Sequence, residues 1–236
     1  MDYKLIEREK VARPKSSFKG YKQDVATAIE SFTRENKIIS ALEKGSFNIE
    51  GYHGLLKTIF HQVYFSSTSF GLAGSLLSAA SVSARSYLLH HAEEEKDHWI
   101  WILEDLQSTG YAGIDPRASF PNSAAQAYLS YGVFLSLFNP LGRLAMANVL
   151  EGISGKFGVM YGARAIEVLK LKKDQAKFFL MHGELDMGHT ADIEEVLQSE
   201  NLSEEQWAEM GHVAQMTSQM YKNLYNSVYE TDLNRA

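Results

Sequence analysis

Three side chains of types that bind metals recur near the C-terminal end of the chain: His182, Asp186 and His189, in the segment HGELDMGH. On an α-helix, positions i, i+4 and i+7 lie within about 60° of one another, so these side chains point the same way. Phe178 and Ile193 share their face, which is therefore predicted to be buried. A buried carboxylate between two imidazoles is unfavourable unless a cation neutralises it. The simplest such cation is a transition metal.

A second group of this kind lies in the segment HHAEEEKDHW, where His91, Glu95 and His98 have the same spacing. The apolar residues on either side continue the same helical face, which is again predicted to be buried. Glu95 and His98 also form the Glu-x-x-His pair with which carboxylate-bridged di-iron bundles offer an oxygen and a nitrogen to adjacent metals. The other acidic residues of the segment are interpreted as solvated, and Glu94 stays open as a ligand.

A single acidic residue, Glu151, interrupts the apolar segment that runs from position 141 to 165. Its helical face continues as Gly155, Gly158 and Gly162. Glycine lowers helix propensity, so a glycine face predicts that something approaches closely. Two interpretations stay open: another helix, or a small ligand such as dioxygen beside the metals.

Each group alone has an ordinary explanation, since HxxxDxxH occurs by chance on amphipathic helices and a His- and Glu-rich run is usually solvated. Together they place acidic and imidazole groups from three separate helices in one core. Stable proteins avoid unpaired buried groups of this kind, so the combination predicts a metal site. Carboxylate and imidazole ligands without sulfur favour iron or manganese at a dinuclear centre, whereas zinc usually takes fewer carboxylates.

Composition excludes several classes of protein. Cysteine is absent, which excludes disulfides, iron–sulfur clusters, thiolate metal sites and a cysteine nucleophile. A net charge of −6 with evenly scattered lysines argues against a nucleic-acid surface. The segment Met1–Lys10 is charged and lacks the apolar core of a secretion signal. The longest apolar stretch, 128–150, is broken by Asn139 and Pro140, which predicts two buried helices and no membrane span. We therefore expect a cytoplasmic protein.

The spacing of apolar residues is helical along almost the whole chain, which predicts an all-α fold. No linker rich in Gly, Ser or Pro is present, so we expect one domain over residues 1–236, with its core at about 20–230. The predicted helices span residues 20–44, 49–67, 72–109, 123–138, 141–169, 173–198 and 203–230.

The order of these groups along the chain resembles the ligand pattern of haem-oxygenase-like di-iron oxidases and oxygenases, also called iron-containing redox enzymes, which are relatives of the TenA and PqqC proteins. The segment EEKDHWIWILEDLQSTG, from Glu94 onwards, is similar to the EExxH and DLxxxG pattern of that family. The resemblance implies a seven-helix bundle with a central cavity and two irons, or manganese in their place. The metal ligands that it implies are Glu95, His98, Glu151, His182, Asp186 and His189.

The resemblance also implies an O2-dependent oxidoreductase that acts on a small organic substrate, such as an amino acid, an amine or a fatty acid. A separate electron donor and a homodimer are further expectations. The chain has His91 where part of the family has a glutamate, so His91 is either an additional ligand or the partner of one. Asp105 either orients an imidazole or lies at the surface.

Other residues have two interpretations at this stage. Arg143, Lys156 and Arg164 could each bind a substrate carboxylate or be ordinary surface charges. Aromatic residues on the last predicted helix could form a dimer interface or belong to the core; they are Trp207, Tyr221 and Tyr225. The candidate cavity walls are Phe134, Phe138, Met146, Met160, Tyr161 and Met181.

Rival functions use the same resemblance differently. A TenA-type thiaminase needs the cysteine that this chain lacks, and a PqqC-like cofactorless oxidase has no need of these carboxylates. A haem oxygenase needs a proximal histidine on an early helix, where His53 or His61 could serve. A ferroxidase-like metal store or a non-catalytic protein that keeps the fold is the remaining alternative.

Overall fold

Helices make up most of the structure, a computed structural model that describes residues 14–186 and 188–229. No strand forms within those residues, so the all-α prediction is confirmed. The charged segment 1–10 and the expected helix end at position 230 lie outside them. The α-helices are α1 (Phe18–Thr33), α2 (Lys37–Glu43), α3 (Ile49–Leu76), α4 (Val82–Glu94), α5 (Trp99–Ser108), α6 (Ser123–Phe138), α7 (Pro140–Ile153), α8 (Val159–Leu169), α9 (Lys177–Leu185), α10 (His189–Ser199) and α11 (Glu204–Asn226).

The helices pack into a bundle around α3, which lies against α4 and α6 and also contacts α5, α7 and α11. α1 packs along α11, and α10 packs along α7. Buried aliphatic and aromatic side chains fill the space between these helices as one cluster. Their apolar faces supply most of the stabilisation, because burial of apolar surface is the dominant favourable term in folding.

The seven expected helices are divided into more segments, and three of the interruptions lie at predicted metal ligands or within three residues of one. A 3₁₀ turn, Glu95–Asp97, separates α4 from α5, and a π-helical turn, Ser154–Gly158, separates α7 from α8. The helix predicted over 173–198 ends at Leu185 and resumes at His189. The triad of His91, Glu95 and His98 and the triad of His182, Asp186 and His189 were each expected on one continuous helix. Both expectations are wrong, because a break falls within each triad. Departures from α-helical geometry are frequent at functional sites.

Two other predicted boundaries are also wrong. α3 continues past position 67 to Leu76, and the break falls at 77–81. Gly74 lies in this extension and lets α4 pack closely against it, because a Cβ on Gly74 would come within 3.0 Å of the Leu89 side chain on α4. The helix predicted over 20–44 breaks near Glu35, whose φ of 58° lies in the left-handed region, and α2 begins after the capping residue Asn36.

The aromatic residues of α11 belong to the core: Trp207, Tyr221 and Tyr225 are all buried, so they do not form a dimer interface stripe. Four of the expected cavity walls are exposed, and that prediction is wrong for Phe134, Phe138, Met160 and Met181. Met146 is buried and Tyr161 lines the cavity described below. Among the described residues, no helix combines the length and apolarity that a membrane crossing requires.

Candidate metal centre

Glu95, His98 and His182 converge at one point in the interior. Glu95 Oε1 lies 2.9 Å from His98 Nδ1 and 3.6 Å from His182 Nε2. The other carboxylate oxygen, Oε2, accepts a 3.0 Å hydrogen bond from the hydroxyl of Ser66 on α3. The ligand atoms of the three residues all lie within 4.8 Å of one another, close enough to contact one cation. These residues are called half-site 1 below.

A second convergence, half-site 2, is formed by His91, Glu151, Asp186 and His189. Glu151 Oε1 lies 3.0 Å from His91 Nε2, and its Oε2 lies 3.2 Å from His189 Nδ1. Asp186 Oδ1 lies 3.6 Å from the same nitrogen of His189. Glu151, Asp186 and His189 also have ligand atoms within 4.8 Å of one another.

The two half-sites are adjacent and share carboxylates. Asp186 Oδ2 lies 2.6 Å from Nδ1 of His182 in half-site 1, while its Oδ1 faces half-site 2. Glu95 likewise forms a group with His91 and Glu151, with ligand atoms within 4.8 Å. Carboxylates that reach from one cluster to the next are the arrangement that a dinuclear centre uses. The structure therefore brings all six principal predicted ligands and His91 together.

Each sequence triad is divided between the half-sites. Residues seven positions apart are separated by about 10 Å along a straight helix, too far to bind one cation. His98 accordingly lies in half-site 1 and His91 in half-site 2. His182 and His189 are divided in the same way. The chain segments that carry the two triads thus face each other, and each contributes one histidine to each half-site.

Several buried polar atoms of this cluster lack hydrogen-bond partners among the described residues. Such atoms are available to bind a metal. They are His91 Nδ1, Glu95 Oε1, His98 Nδ1 and Asp186 Oδ1. His98 Nδ1 and Glu95 Oε1 are only 2.9 Å apart, yet their orientation does not satisfy hydrogen-bond geometry. Unpaired buried acceptors are unfavourable, and a cation between them would remove that penalty. The donor set fits a metal centre.

Protons on the imidazoles stabilise the cluster electrostatically when no cation is bound. Burial alone would raise the pKa of Glu95, but the close contacts and positive charges of nearby imidazoles, above all His182, hold it well below its usual range. Burial and the charge of Asp186 raise the pKa of Glu151. The nearby carboxylates of Asp186 and Glu151 raise the pKa of His189 to about 10, against the effect of burial. Divalent cations can replace such protons, which is how metal binding couples to proton release.

Aromatic side chains fix the orientation of two of the histidines. The His91 ring stacks on Tyr87 and meets the edge of Phe70, with centroids 5.5 and 4.5 Å away. The His98 ring stacks on Trp101 at 4.5 Å. Rings held this way cannot rotate freely, so their nitrogens are pre-aligned for a ligand. Phe70 and Tyr87 were not predicted as site residues, because an aromatic residue on an apolar helix is indistinguishable from ordinary core.

Glu94 contacts the centre from outside. Its side chain is 40% exposed, and its Oε2 lies 3.3 Å from His91 Nδ1. Glu94, His91 and His189 also form a group with ligand atoms within 4.8 Å. Glu94 therefore stays open as a metal ligand at the solvent edge of half-site 2, whereas Glu95 is the buried carboxylate of this segment.

Asp105 has a different role from both that were expected. It is fully buried, and it accepts hydrogen bonds of 2.9 and 3.0 Å from the backbone N–H groups of Lys177 and Phe178. These are the first residues of α9, whose own N-cap residue Ala176 provides no side-chain hydrogen bond. Asp105 therefore caps the helix that carries His182, in the manner of an N-cap carboxylate.

The glycine face that follows Glu151 serves close helix packing. A Cβ on Gly158 would come within 3.2 Å of Gly183 Cα on α9, and one on Gly162 would come within 3.1 Å of Phe179 Cβ. Gly155 lies within the π-helical turn. Of the two interpretations from the sequence, the approach of another helix is confirmed for Gly158 and Gly162.

A cavity of about 80 Å³ opens beside the ligands. This is several times the ~10–15 Å³ that one water molecule requires. The ligands on its wall are Glu95, Glu151, His182 and Asp186. The rest of the wall is mainly apolar, and it includes Phe32, Ile39, Leu42, Phe47, Leu55 and Phe157. Such a chamber can hold a small organic molecule next to the ligands and keep bulk water out.

The remaining predicted positions separate clearly. Arg143 is buried and lines the cavity, so it is not an ordinary surface charge. Lys156 pairs with Glu30 and Arg164 pairs with Glu167, both at the surface. The two early histidines are half-buried and face polar partners away from the cavity: His53 contacts Thr109 and His61 contacts Ser119.

Solved structures with the same architecture exist, although no protein-family model and no curated protein matches the sequence. A domain of unknown function from Shewanella denitrificans, described as having a haem-oxygenase-like fold, superposes with a TM-score of 0.74 at 21% identity. The similarity covers 90% of this chain and 92% of that one.

Two further structures have lower sequence identity. A TenA homologue from Pseudomonas syringae has a TM-score of 0.76 at 12% identity, over 92% of this chain and 94% of its own. A haem oxygenase from the cyanobacterium Synechocystis, solved in complex with haem, has a TM-score of 0.68 at 12% identity, over 90% and 91%. Similarity at these identities shows the fold alone. The chain therefore has the haem-oxygenase-like fold that TenA homologues share, as the sequence resemblance implied.

Proposed function

We propose that the chain is a non-haem oxidase or oxygenase that binds two irons, with manganese as the alternative, and uses O2 to oxidise a small organic substrate. One observation carries the proposal: two adjacent clusters of buried carboxylates and imidazoles, joined by shared carboxylates, form part of the wall of a largely apolar cavity. Glu95, His98 and His182 would hold one metal, and the residues of half-site 2 would hold the other.

The protein's own residues supply the conditions for this chemistry. Two ferrous ions, when bound, supply the electrons and open coordination positions that O2 activation needs. The buried carboxylates Glu95, Glu151 and Asp186 neutralise the metal charge, and the imidazoles fix the remaining positions. Ser66 and His182 orient two of these carboxylates through hydrogen bonds. The apolar cavity wall excludes water and limits side reactions.

The rival functions fit the residues less well. Haem binding would use a proximal histidine, but His53 and His61 point to polar partners outside the cavity. A thiaminase of the TenA type would need a cysteine, and the chain has none. A cofactorless oxidase would leave three buried carboxylates without a purpose. An iron store would use the same ligands but would not require an adjoining apolar chamber.

Anaerobic loading with ferrous ion tests the proposal. Metal-free protein should retain about two irons per chain after gel filtration, and O2 consumption should increase when an amino acid, amine or fatty acid substrate is supplied. Glu151→Gln should retain less iron, because both oxygens of Glu151 face histidines. Glu93→Gln is the matched control, since this carboxylate lies nearby but is exposed and pairs with Lys96.

Each alternative gives a different result. About two irons that consume O2 at the same rate with every candidate would support an iron store. Stoichiometric haem binding would support the haem oxygenase reading. Wild-type protein that retains no more iron than Glu151→Gln would contradict the proposal.

A further inference from the structure

Arg143 on α7 is a buried cation without an anionic partner. The residue is 3% exposed, and its Nε donates a 2.8 Å hydrogen bond to the neutral hydroxyl of Ser69. Its Nη1 has no hydrogen-bond partner, and no carboxylate of the described residues lies within ion-pair distance of it. The guanidinium centre lies 3.7 Å from the ring centroid of Phe70, which provides a cation–π contact and no charge compensation.

A buried positive charge without a partner is unfavourable, and arginine stays charged in proteins, so a ligand that supplies a negative charge would stabilise Arg143. The planar guanidinium fork matches carboxylates and phosphates, because two parallel N–H···O bonds can form. Since the rest of the cavity wall is mainly apolar, a carboxylate on an apolar chain fits it better than a phosphate. Arg143 lines the cavity and is therefore suited to an incoming carboxylate.

The position of Arg143 relative to the metal centre follows from α3. Ser69 binds Arg143 and Ser66 binds Glu95, so the two hydrogen bonds are three residues apart on one helix. Three residues correspond to about 4.5 Å along the helix axis. The guanidinium thus lies about one helical turn from half-site 1, and the Phe70 ring contacts both the guanidinium and His91 of half-site 2.

The same cavity also has a largely apolar part. Its wall includes apolar residues of α1, α2, the loop before α3 and α3 itself, namely Phe32, Ile39, Leu42, Phe47 and Leu55. One cavity is therefore lined by the arginine, by metal ligands and by apolar side chains. A smaller cavity of about 20 Å³ that Arg143 also lines has room for roughly one water molecule.

We propose that Arg143 binds the carboxylate of the substrate, and that the substrate is an apolar monocarboxylic acid whose chain occupies the apolar part of the cavity that the metal ligands also line. This inference rests on the proposed function and specifies its substrate class. The atoms nearest the carboxylate would then lie beside the metal ligands. Charge supports the assignment, because two divalent cations and Arg143 together exceed the charge of the carboxylates Glu95, Glu151 and Asp186. An anionic substrate offsets part of this excess positive charge.

Binding of octanoate to the metal-free full chain tests this inference independently of iron chemistry. Isothermal titration should show that octanoate binds the wild type at least 10-fold more tightly than 1-octanol. Arg143→Met should weaken octanoate binding about 10- to 100-fold, as expected for loss of a charge-assisted hydrogen-bond pair, and should change 1-octanol binding less than about twofold. The octanoate affinity of Arg143→Lys should fall between those of the wild type and Arg143→Met, because lysine keeps the charge but loses the planar fork.

Lys156→Met is the matched control, since it removes a cation that pairs with Glu30 at the surface, and it should bind octanoate like the wild type. Inorganic phosphate should compete weakly, because it has no chain for the chamber. Equal octanoate affinity in the wild type and Arg143→Met, or no octanoate binding by the wild type, would overturn the inference. If Arg143→Met does not fold, wild-type octanoate affinity in Arg143→Lys would also overturn the inference. Iron stoichiometry of the same proteins tests the proposed function separately.

Discussion

The imidazole rings of His91 and His189 meet edge to face, with their centroids 5.1 Å apart. His98 and His182 repeat this arrangement at 5.0 Å. His91 and His98 are seven residues apart in one segment, and their partners are seven residues apart in the other, so the segments run antiparallel past each other. Each pair of rings has its own carboxylate, Glu151 for the first and Glu95 for the second. The centre is therefore built from two similar halves.

Removal of one histidine from each half should remove one metal at a time. His98→Ala should disrupt half-site 1, leave half-site 2 intact and reduce bound iron from about two to about one per chain. His189→Ala should disrupt half-site 2, leave half-site 1 intact and give the same reduction. The double variant should retain almost none. Metal analysis after anaerobic loading and gel filtration measures this. His90→Ala is the control, because this histidine is exposed and lies next to His91 in the same segment, with its Nε2 3.3 Å from Glu94. Loss of both irons in either single variant would show that the halves do not bind independently.

Metal binding should stabilise the fold, because it satisfies buried atoms that otherwise lack partners, such as Glu95 Oε1 and Asp186 Oδ1. A ligand present at 100 times its dissociation constant adds about 2.7 kcal/mol to the free energy of unfolding. Urea unfolding of the chelator-treated and reloaded protein should differ by about this amount at that metal concentration. Identical unfolding curves with and without metal would argue that the clusters bind none.

Asp105 should make the stability of the metal-free protein depend on pH. Burial raises the pKa of its carboxyl from 3.8 to about 6, although the N–H groups of α9 and the Tyr52 hydroxyl oppose this. Because the folded-state pKa is the higher one, the protonated form favours the folded state. Its contribution is complete below about pH 4 and is lost as the pH rises through about 6.

Asp105→Asn mimics the protonated carboxyl at every pH. Between about pH 4 and pH 7, the wild type should therefore lose up to roughly 3 kcal/mol relative to this variant, as a shift of about two pKa units implies. Urea unfolding of both metal-free proteins at several pH values provides the difference. A difference that is constant with pH would show that Asp105 has the same pKa in both states.

Spacing identified His182, Asp186 and His189 as candidates, because they share a helical face with apolar residues, and the family resemblance implied the full ligand set. The sequence did not predict the interruptions at Glu95–Asp97 and near Asp186. These depend on contacts between elements distant in sequence, such as the hydrogen bond from Ser66 to Glu95, which no local pattern encodes. Local propensity favours one continuous helix at both places, and tertiary contacts override it.

The burial of Arg143 and Asp105 likewise depends on contacts that a local sequence pattern does not encode. A lone arginine or aspartate on an amphipathic helix is usually a surface charge. Their burial depends on which helix packs against them: Phe70 of α3 covers Arg143, and the start of α9 covers Asp105. A sequence pattern can identify a face as apolar, but it does not identify the partner of a single polar residue on that face.

Close contact between α8 and α9 should be necessary for half-site 1. A Cβ added to Gly183 would lie 2.8 Å from the backbone nitrogen of Val159, which cannot move without displacing the helix. Gly183→Ala should therefore lower the free energy of unfolding by about 1–3 kcal/mol and, because His182 is the preceding residue, weaken iron binding. Gly71→Ala is the matched control, since its Cβ would meet only Ala92 at 3.9 Å, and it should be neutral or stabilising by up to about 1 kcal/mol.

Chemical denaturation and iron titration of the two variants separate packing from metal binding. In the wild type, α9 lies against the π-helical turn that follows Glu151, so a shift of α9 would move His182 away from Glu95 while leaving half-site 2 nearer its original geometry. We therefore expect Gly183→Ala to lose iron from half-site 1 first, with about one iron retained. Unchanged stability and two retained irons would mean that the backbone of α9 accommodates a methyl group, contrary to the 2.8 Å approach.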